Sequence, residues 1–382
     1  MIPQGSLMVE HQYLYIFGII IFIGMVFSLP IFKYLDDEVH AKRNTGMDGL
    51  RYFLASFVAI FHSDYFVRYI TTGKWETIYN DISYIAQFAV SIFFMITAFL
   101  FWGKISKKED VDWVNLYKDR LFRIAPATIF TALISIVIIL YLTNYPNPSN
   151  YLHAKDVFRW MDMGLFYNYP PMNYFKDSWI FLGVFWTLQW EWGFYFSLPL
   201  LYLFRKNGTA FVLALMFIFV YLIGFIPALN NIKAGICILF VAGMLCYELI
   251  GKVRLNKITC EIILLVSLVG IFTYQPELYS TTMLPWYFCM LFSICKGANL
   301  FGVLSFNGFV RLGNASFSIY VLHSVVLYTL FTWMHTSNII NEPEDFRVIY
   351  LIGSFGMVCV ISSLCYALIE RPFINLGRKV KL

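Results

Sequence analysis

The chain has 382 residues, 59% of them hydrophobic, 20% aromatic and only 13% charged, with a formal net charge of +5 and a mean hydropathy of +0.67. So little charge cannot cover the surface of a soluble domain of this length, which predicts an all-α, polytopic integral membrane helical bundle. The surplus of Lys and Arg is what cytoplasmic loops and anionic lipid headgroups call for, and it gives no reason to expect a nucleic-acid partner.

Apolar stretches long enough to cross a hydrocarbon core of about 30 Å lie near 12–33, 47–68, 83–103, 120–142, 179–204, 209–227, 232–250, 258–275, 284–301, 314–334 and 347–369. About 11 transmembrane helices are therefore expected. The first run has neither a basic leader nor a small-residue cleavage site, so it is read as a helix and not a signal peptide. No repeat or low-complexity linker divides the chain. The expected organisation is an N-terminal helix and cytoplasmic linker over 1–46, one membrane domain over 47–375, and a basic tail over 376–382. With the N-terminus outside and the C-terminus in the cytoplasm, 21 of the 28 lysines and arginines fall on the inner side and 7 on the outer. That asymmetry sets the expected orientation in a cell inner (plasma) membrane.

The second stretch runs Asp48-Gly-Leu-Arg51 to Phe61-His62. On a helix, Asp48, Arg51, Val58 and His62 fall within roughly one quadrant, and Arg51 and His62 stand about 16 Å apart along it. Ionisable residues inside hydrocarbon are costly, so this face is a functional candidate, a lined path with Arg51 at the cytoplasmic end and His62 toward the outside. The segment from Lys104 ends in Arg120-Leu-Phe-Arg123-Ile-Ala-Pro126. Arginines at i and i+3 share a face and can grip one phosphate-bearing group together. Ordinary inner-side charge explains Lys104, Lys107 and Lys108.

The external stretch 143–178 is broken by Pro, Asn and Asp, and Val157 to Phe166 is expected as a short interfacial helix. Its many Tyr and Trp suit either an interfacial aromatic belt or contact with sugar rings. The fifth helix carries Trp186-Thr-Leu-Gln-Trp-Glu191 and Tyr195, with Glu191 expected roughly 18 Å deep. A carboxylate there must be protonated, paired or wet. The tenth carries Ser316-Phe-Ser-Ile-Tyr320-Val-Leu-His323, and the last ends in Glu370-Arg371-Pro-Phe, an acid and base read as an anchor at the inner interface. The seven cysteines have no CxxC pair and the histidines no ligand spacing, so no metal is expected.

Five motifs in this order resemble acyltransferase family 3, the membrane O-acetyltransferases of bacterial O-antigen, capsule and peptidoglycan: Asp48-Gly-Leu-Arg51 with Phe61-His62, Arg120-x-x-Arg123, Trp186 to Glu191, Ser316 to His323, and Glu370-Arg-Pro-Phe. Thr97-Ala98 stands where the family usually has Ser-Gly, Thr187 where it has Ser, and Phe317 where Tyr is common. The resemblance implies transfer of an acetyl or other short acyl group from cytoplasmic acyl-CoA, usually acetyl-CoA, to a hydroxyl of an extracytoplasmic or lipid-linked glycan of the cell envelope. His62 would then be the catalytic base or a transient acyl carrier, with Glu191 and Asp48 beside it. Arg51, Arg120 and Arg123 would hold the CoA cosubstrate, and Trp186, Tyr195, Tyr320 and His323 the acceptor. Many relatives carry a soluble extracytoplasmic domain after the membrane part. No such domain is expected from the residues after the membrane part here, so a separate extracytoplasmic transferase is an alternative partner for delivery. A transporter or flippase of a glycan intermediate, proton-coupled through His and Glu, is the competing reading, and an inactive membrane sensor a third.

Overall fold

The computed structural model describes residues 7–36, 44–77, 80–146, 152–225, 232–274, 281–345 and 347–380. Among these there are helices and no named strand. The helices are α1 (Leu7–Val26), α2 (Thr45–Thr72), α3 (Asn80–Ile105), α4 (Trp113–Leu142), α5 (Ala154–Trp160), α6 (Trp186–Tyr202) and α7 (Gly208–Phe225). They continue with α8 (Ile232–Ile250), α9 (Lys257–Thr273), α10 (Leu284–Cys295), α11 (Asn307–Asn314), α12 (Ser316–Thr336), α13 (Val348–Cys365) and α14 (Arg371–Lys379). Lys42, Arg43 and Lys381 of the inner-side charge count lie outside the described residues.

Every predicted apolar stretch contains a helix, and the chain is an all-α, multi-pass membrane protein. Six helical spans are both long and apolar enough to cross a bilayer by themselves, those beginning at Ser83, Trp113, Arg205, Lys233, Ser316 and Val348. The helix α2 has the length, 28 residues, but its polar and charged side chains depress its hydropathy. Burial replaces hydropathy there: from Gly46 to Ile60 nearly every residue is covered by neighbouring helices.

Several boundaries differ from the predicted ones. The first helix stops at Val26, and Pro30, which has no N–H to give, opens a 3₁₀ turn over Pro30–Leu35. The stretch from 179 is not helical from its start: 3₁₀ turns over Lys176–Phe181 and Gly183–Phe185 precede α6. Glu191 therefore stands five residues, about 8 Å, into its helix, behind the two 3₁₀ turns. The short helix expected over Val157 to Phe166 forms one turn earlier than predicted, over Ala154–Trp160. The ninth stretch gives only the 12-residue α10.

Two local features fix the core around α2. Its N-terminus is capped by the Asn44 side chain, which accepts the Met47 N–H at 3.2 Å. Gly313 in α11 lies directly against it, since a Cβ there would sit 2.0 Å from the Asp48 carbonyl oxygen, so only glycine allows that approach. The helix α1 is tied in by Arg311 of α11. Its guanidinium donates to the carbonyls of Phe27, Ser28 and Leu29 at 2.9–3.0 Å and to both Asp36 oxygens at 2.6 and 3.0 Å. One arginine thus satisfies three carbonyls of the turn that follows α1.

Candidate active site

A cavity of about 300 Å³ opens among α2, α3, α4, α6 and α12. Along α3 its lining runs from Lys104 to Val90, about 21 Å of helix. Arg51, Lys104, Arg120 and Arg123 face one carboxylate in it, Glu191, so its charge is strongly positive. The Arg120 guanidinium lies over the Phe101 ring, 4.7 Å from its centroid, and the Lys104 ammonium is 5.1 Å from the same ring. The buried Nε of Arg120 makes no hydrogen bond within the protein. A buried guanidinium N–H without an acceptor is costly, and an anionic ligand would supply one.

Glu191 accepts a short hydrogen bond from the Tyr195 hydroxyl one turn along α6. Tyr195 is itself fully buried, and its carbonyl accepts the Tyr117 hydroxyl of α4 at 3.1 Å. Arg51 is the centre of a wider charge network, with Arg123 as a like neighbour and Asp48, Glu370 and Glu191 as opposite ones. Glu370 reaches this network because a π turn over Tyr366–Glu370 widens the end of α13. That turn brings its carboxylate into the core, where Ser318 donates to it at 2.7 Å.

The cavity ends at a hydroxyl pair. Thr187 and Tyr320 hydroxyls are 2.8 Å apart, and both reach the Val184 carbonyl, at 3.0 and 3.2 Å. Beyond Tyr320, one turn along α12, His323 is completely buried with its Nε2 3.1 Å from Nδ1 of His62. His62 Nδ1 is also 2.9 Å from the Val58 carbonyl, and His323 Nδ1 is 3.3 Å from that of Ile319. Carbonyls only accept, so the ring nitrogens facing them carry the hydrogens. In this tautomer the one His62 Nδ1–H is shared between the Val58 carbonyl and His323 Nε2, which accepts. This assignment leaves the lone pair of His62 on Nε2, the nitrogen a general base needs.

Residues 44–366 match the family model described as an acyltransferase domain, that of acyltransferase family 3. The chain belongs to acyltransferase family 3. It is a membrane acyltransferase of that family, and no curated protein and no solved structure matches it. The match begins at the N-cap of α2, so α1 and Asp36 precede it, although Arg311 inside the match binds both.

Within this acyltransferase 3 domain, Arg51, Arg120, Arg123, Glu191, Tyr195 and Tyr320 come together around the cavity. His62 does not line it. The polar face of α2 is therefore a path interrupted by Tyr320, with Arg51 on one side and His62 on the other. His62 takes His323 as its side-chain partner, which moves His323 from the acceptor-binding group to the side of the base. Glu191 bonds to Tyr195 among the arginines and so does not orient His62. Asp48 is buried beneath Gly313 outside the cavity lining, and Trp186 packs half-buried with its ring 6.4 Å from that of Phe94. Sequence reasoning passed over Lys104, Thr187 and Glu370 as site residues. Thr187, a hydroxyl inside the Trp186-to-Glu191 motif, and Glu370, which opens the closing Glu370-Arg-Pro-Phe motif, each left a signal, whereas Lys104 looked like ordinary inner-side charge.

Proposed function

We propose that the protein transfers an acetyl or other short acyl group from acyl-CoA, bound at the basic cavity on the cytoplasmic side, to a hydroxyl of a glycan or lipid-linked saccharide reached from the opposite side. The observation that carries this reading is the arrangement of a four-cation cavity and a base-competent histidine on either side of one tyrosine. The family membership makes acyl transfer the chemistry, and the cavity's charge favours a polyanionic carrier such as CoA. Arg120 and Arg123, one helical turn apart, grip the phosphates of the nucleotide end. The pantetheine arm extends along α3 past Glu191 toward Tyr320.

Each step of the transfer has a group to perform it. His62 Nε2 takes the proton of the acceptor hydroxyl, and the alkoxide oxygen bonds to the thioester carbonyl carbon. Collapse of the tetrahedral intermediate breaks the C–S bond, and the proton held by His62 passes to the departing thiolate as CoA-SH. During this cycle His62 becomes an imidazolium, and His323 Nε2, accepting from Nδ1–H, holds the ring in place. The Tyr320–Thr187 pair must part for the thioester to meet His62, which keeps the thioester from water until the acceptor is bound.

The experiment is mass spectrometry of surface glycans from cells with and without the protein. Loss of an acyl ester in its absence is expected; an unchanged ester content in both would overturn the proposal.

A further inference from the structure

On the side of His62 away from the basic cavity the chain folds back on itself. α2 ends at Gly73, whose backbone is left-handed (φ +74°), and this reversal returns residues 74–77 over the helix just completed. Trp75 thereby lands on the polar face of α2. Its ring centroid is 5.0 Å from Phe66, 5.3 Å from Tyr65 and 6.5 Å from His62. The Thr77 hydroxyl donates to Asp64 at 2.5 Å and pins the returned segment. Trp179 meets Trp75 from the turn before α6, at 5.3 Å and an interplanar angle of 74°. The Tyr69 hydroxyl donates to Asp177 at 2.8 Å and holds that turn in place.

We propose that this cluster, Trp75 and Trp179 beside Asp177, binds one sugar ring of the acyl acceptor and presents its hydroxyl to His62. The proposal rests on the acyl-transfer reading above. An indole that merely anchors a bundle in the lipid interface points away from the helices. Trp75 instead turns inward onto His62. Rings serving only as core would be fully covered, whereas His62, Tyr65 and Trp75 are half-buried and Trp179 is 39% exposed. The pairing of apolar ring faces with a carboxylate matches a sugar, whose C–H face stacks on an indole while a hydroxyl donates to the carboxylate. A lipid chain would leave Asp177 beside hydrocarbon, whereas Asp64 is already paired with Arg68 at 3.7 Å. The 6.5 Å between Trp75 and His62 leaves a hydroxyl at the edge of a stacked ring within reach of Nε2.

The test uses the full chain in lipid nanodiscs, free of sugar-headed detergent, with acetyl-CoA and methyl glycosides of glucose, galactose, mannose and N-acetylglucosamine as acceptors. Wild type should acetylate at least one glycoside. Trp75→Ala should raise the acceptor KM by about tenfold, with the Kd for acetyl-CoA unmoved, and Trp75→Phe should recover most of the loss. Trp179→Ala, at an exposed position, carries the same test if Trp75→Ala does not fold. A wild-type acceptor KM in the alanine variants overturns the site. So does a wild type that consumes acetyl-CoA yet acetylates no glycoside, an outcome that leaves acyl transfer itself standing. Failure to bind acetyl-CoA at all would instead overturn the underlying reading.

Discussion

Nε2 of His323 lies 3.1 Å from Nδ1 of His62, joining α2 to α12 just beyond the closed end of the basic cavity. Since the Val58 and Ile319 carbonyls fix a hydrogen on both Nδ1 atoms, the contact runs from His62 to His323 and frees Nε2 of His62. His323→Ala should lower kcat by about tenfold to a hundredfold, since the imidazole loses a positioning partner and not the base itself. In combination with His62→Ala it should cost nothing further, because both act through one nitrogen. Steady-state kinetics of the two single variants and the double variant check this.

On the proposed reading the arginines hold the donor. Arg120→Ala or Arg123→Ala should each raise the KM for acetyl-CoA by about tenfold and flatten its dependence on salt. Arg120→Lys should not restore it, because an ammonium cannot both lie flat over Phe101 and offer the forked donors of a guanidinium. Isothermal titration with acetyl-CoA at two ionic strengths gives the answer.

Much of this site could be read before the fold was known, and what could not has a physical reason. His62, Arg51 and the Arg120–Arg123 pair stand out because charge inside an apolar run is costly wherever the helices go. The partners of those residues are a matter of packing. His323 is 261 positions from His62, and Tyr320 is 133 from Thr187, separations that no helical period spans. Glu370 looked like an interfacial anchor beside Arg371. Arg371 does bond the Tyr34 and Asp36 carbonyls at the surface, while a π turn, invisible in residue spacing, sends Glu370 inward to Ser318. The start of the helix carrying Glu191 was misplaced because the apolar run from 179 begins as 3₁₀ turns, whose composition is that of a helix.

Tyr320 closes the cavity against the histidine pair. Tyr320→Phe removes its hydrogen bonds to Thr187 and Val184 and leaves their oxygens short of a partner, at a cost of roughly 1–3 kcal/mol. The barrier to opening falls with it. Acceptor-independent hydrolysis of acetyl-CoA should therefore rise several-fold, measured as free thiol released with no acceptor present. A rate equal to wild type would mean that the hydroxyl pair does not separate donor from water.

The Asp36–Arg311 pair ties α1 to the rest of the bundle. The hydrogen bond and charge of Arg311 hold the Asp36 carboxyl below its ordinary pKa of 3.8. A depressed folded-state pKa contributes stability that is complete above the unfolded value and drains away as pH falls through the folded one. Thermal stability of the wild type should thus be level from neutral pH to about pH 5 and fall below about pH 4. Asp36→Asn should remove this part of the pH dependence, with a small effect at pH 7 because the carboxylate is half-exposed. Arg311→Ala should cost more, roughly 2 kcal/mol or above, because it also leaves the Phe27, Ser28 and Leu29 carbonyls without their donor. Melting curves across pH for the three proteins distinguish these outcomes.

The proposed role of His62 as the base for acyl transfer from acyl-CoA is open to a direct measurement, the release of free CoA from acetyl-CoA by His62→Ala in nanodiscs. The variant should bind acetyl-CoA as wild type does, since Arg120 and Arg123 are intact, and release CoA at no more than the background rate. Release at the wild-type rate by a folded His62→Ala protein would contradict the account.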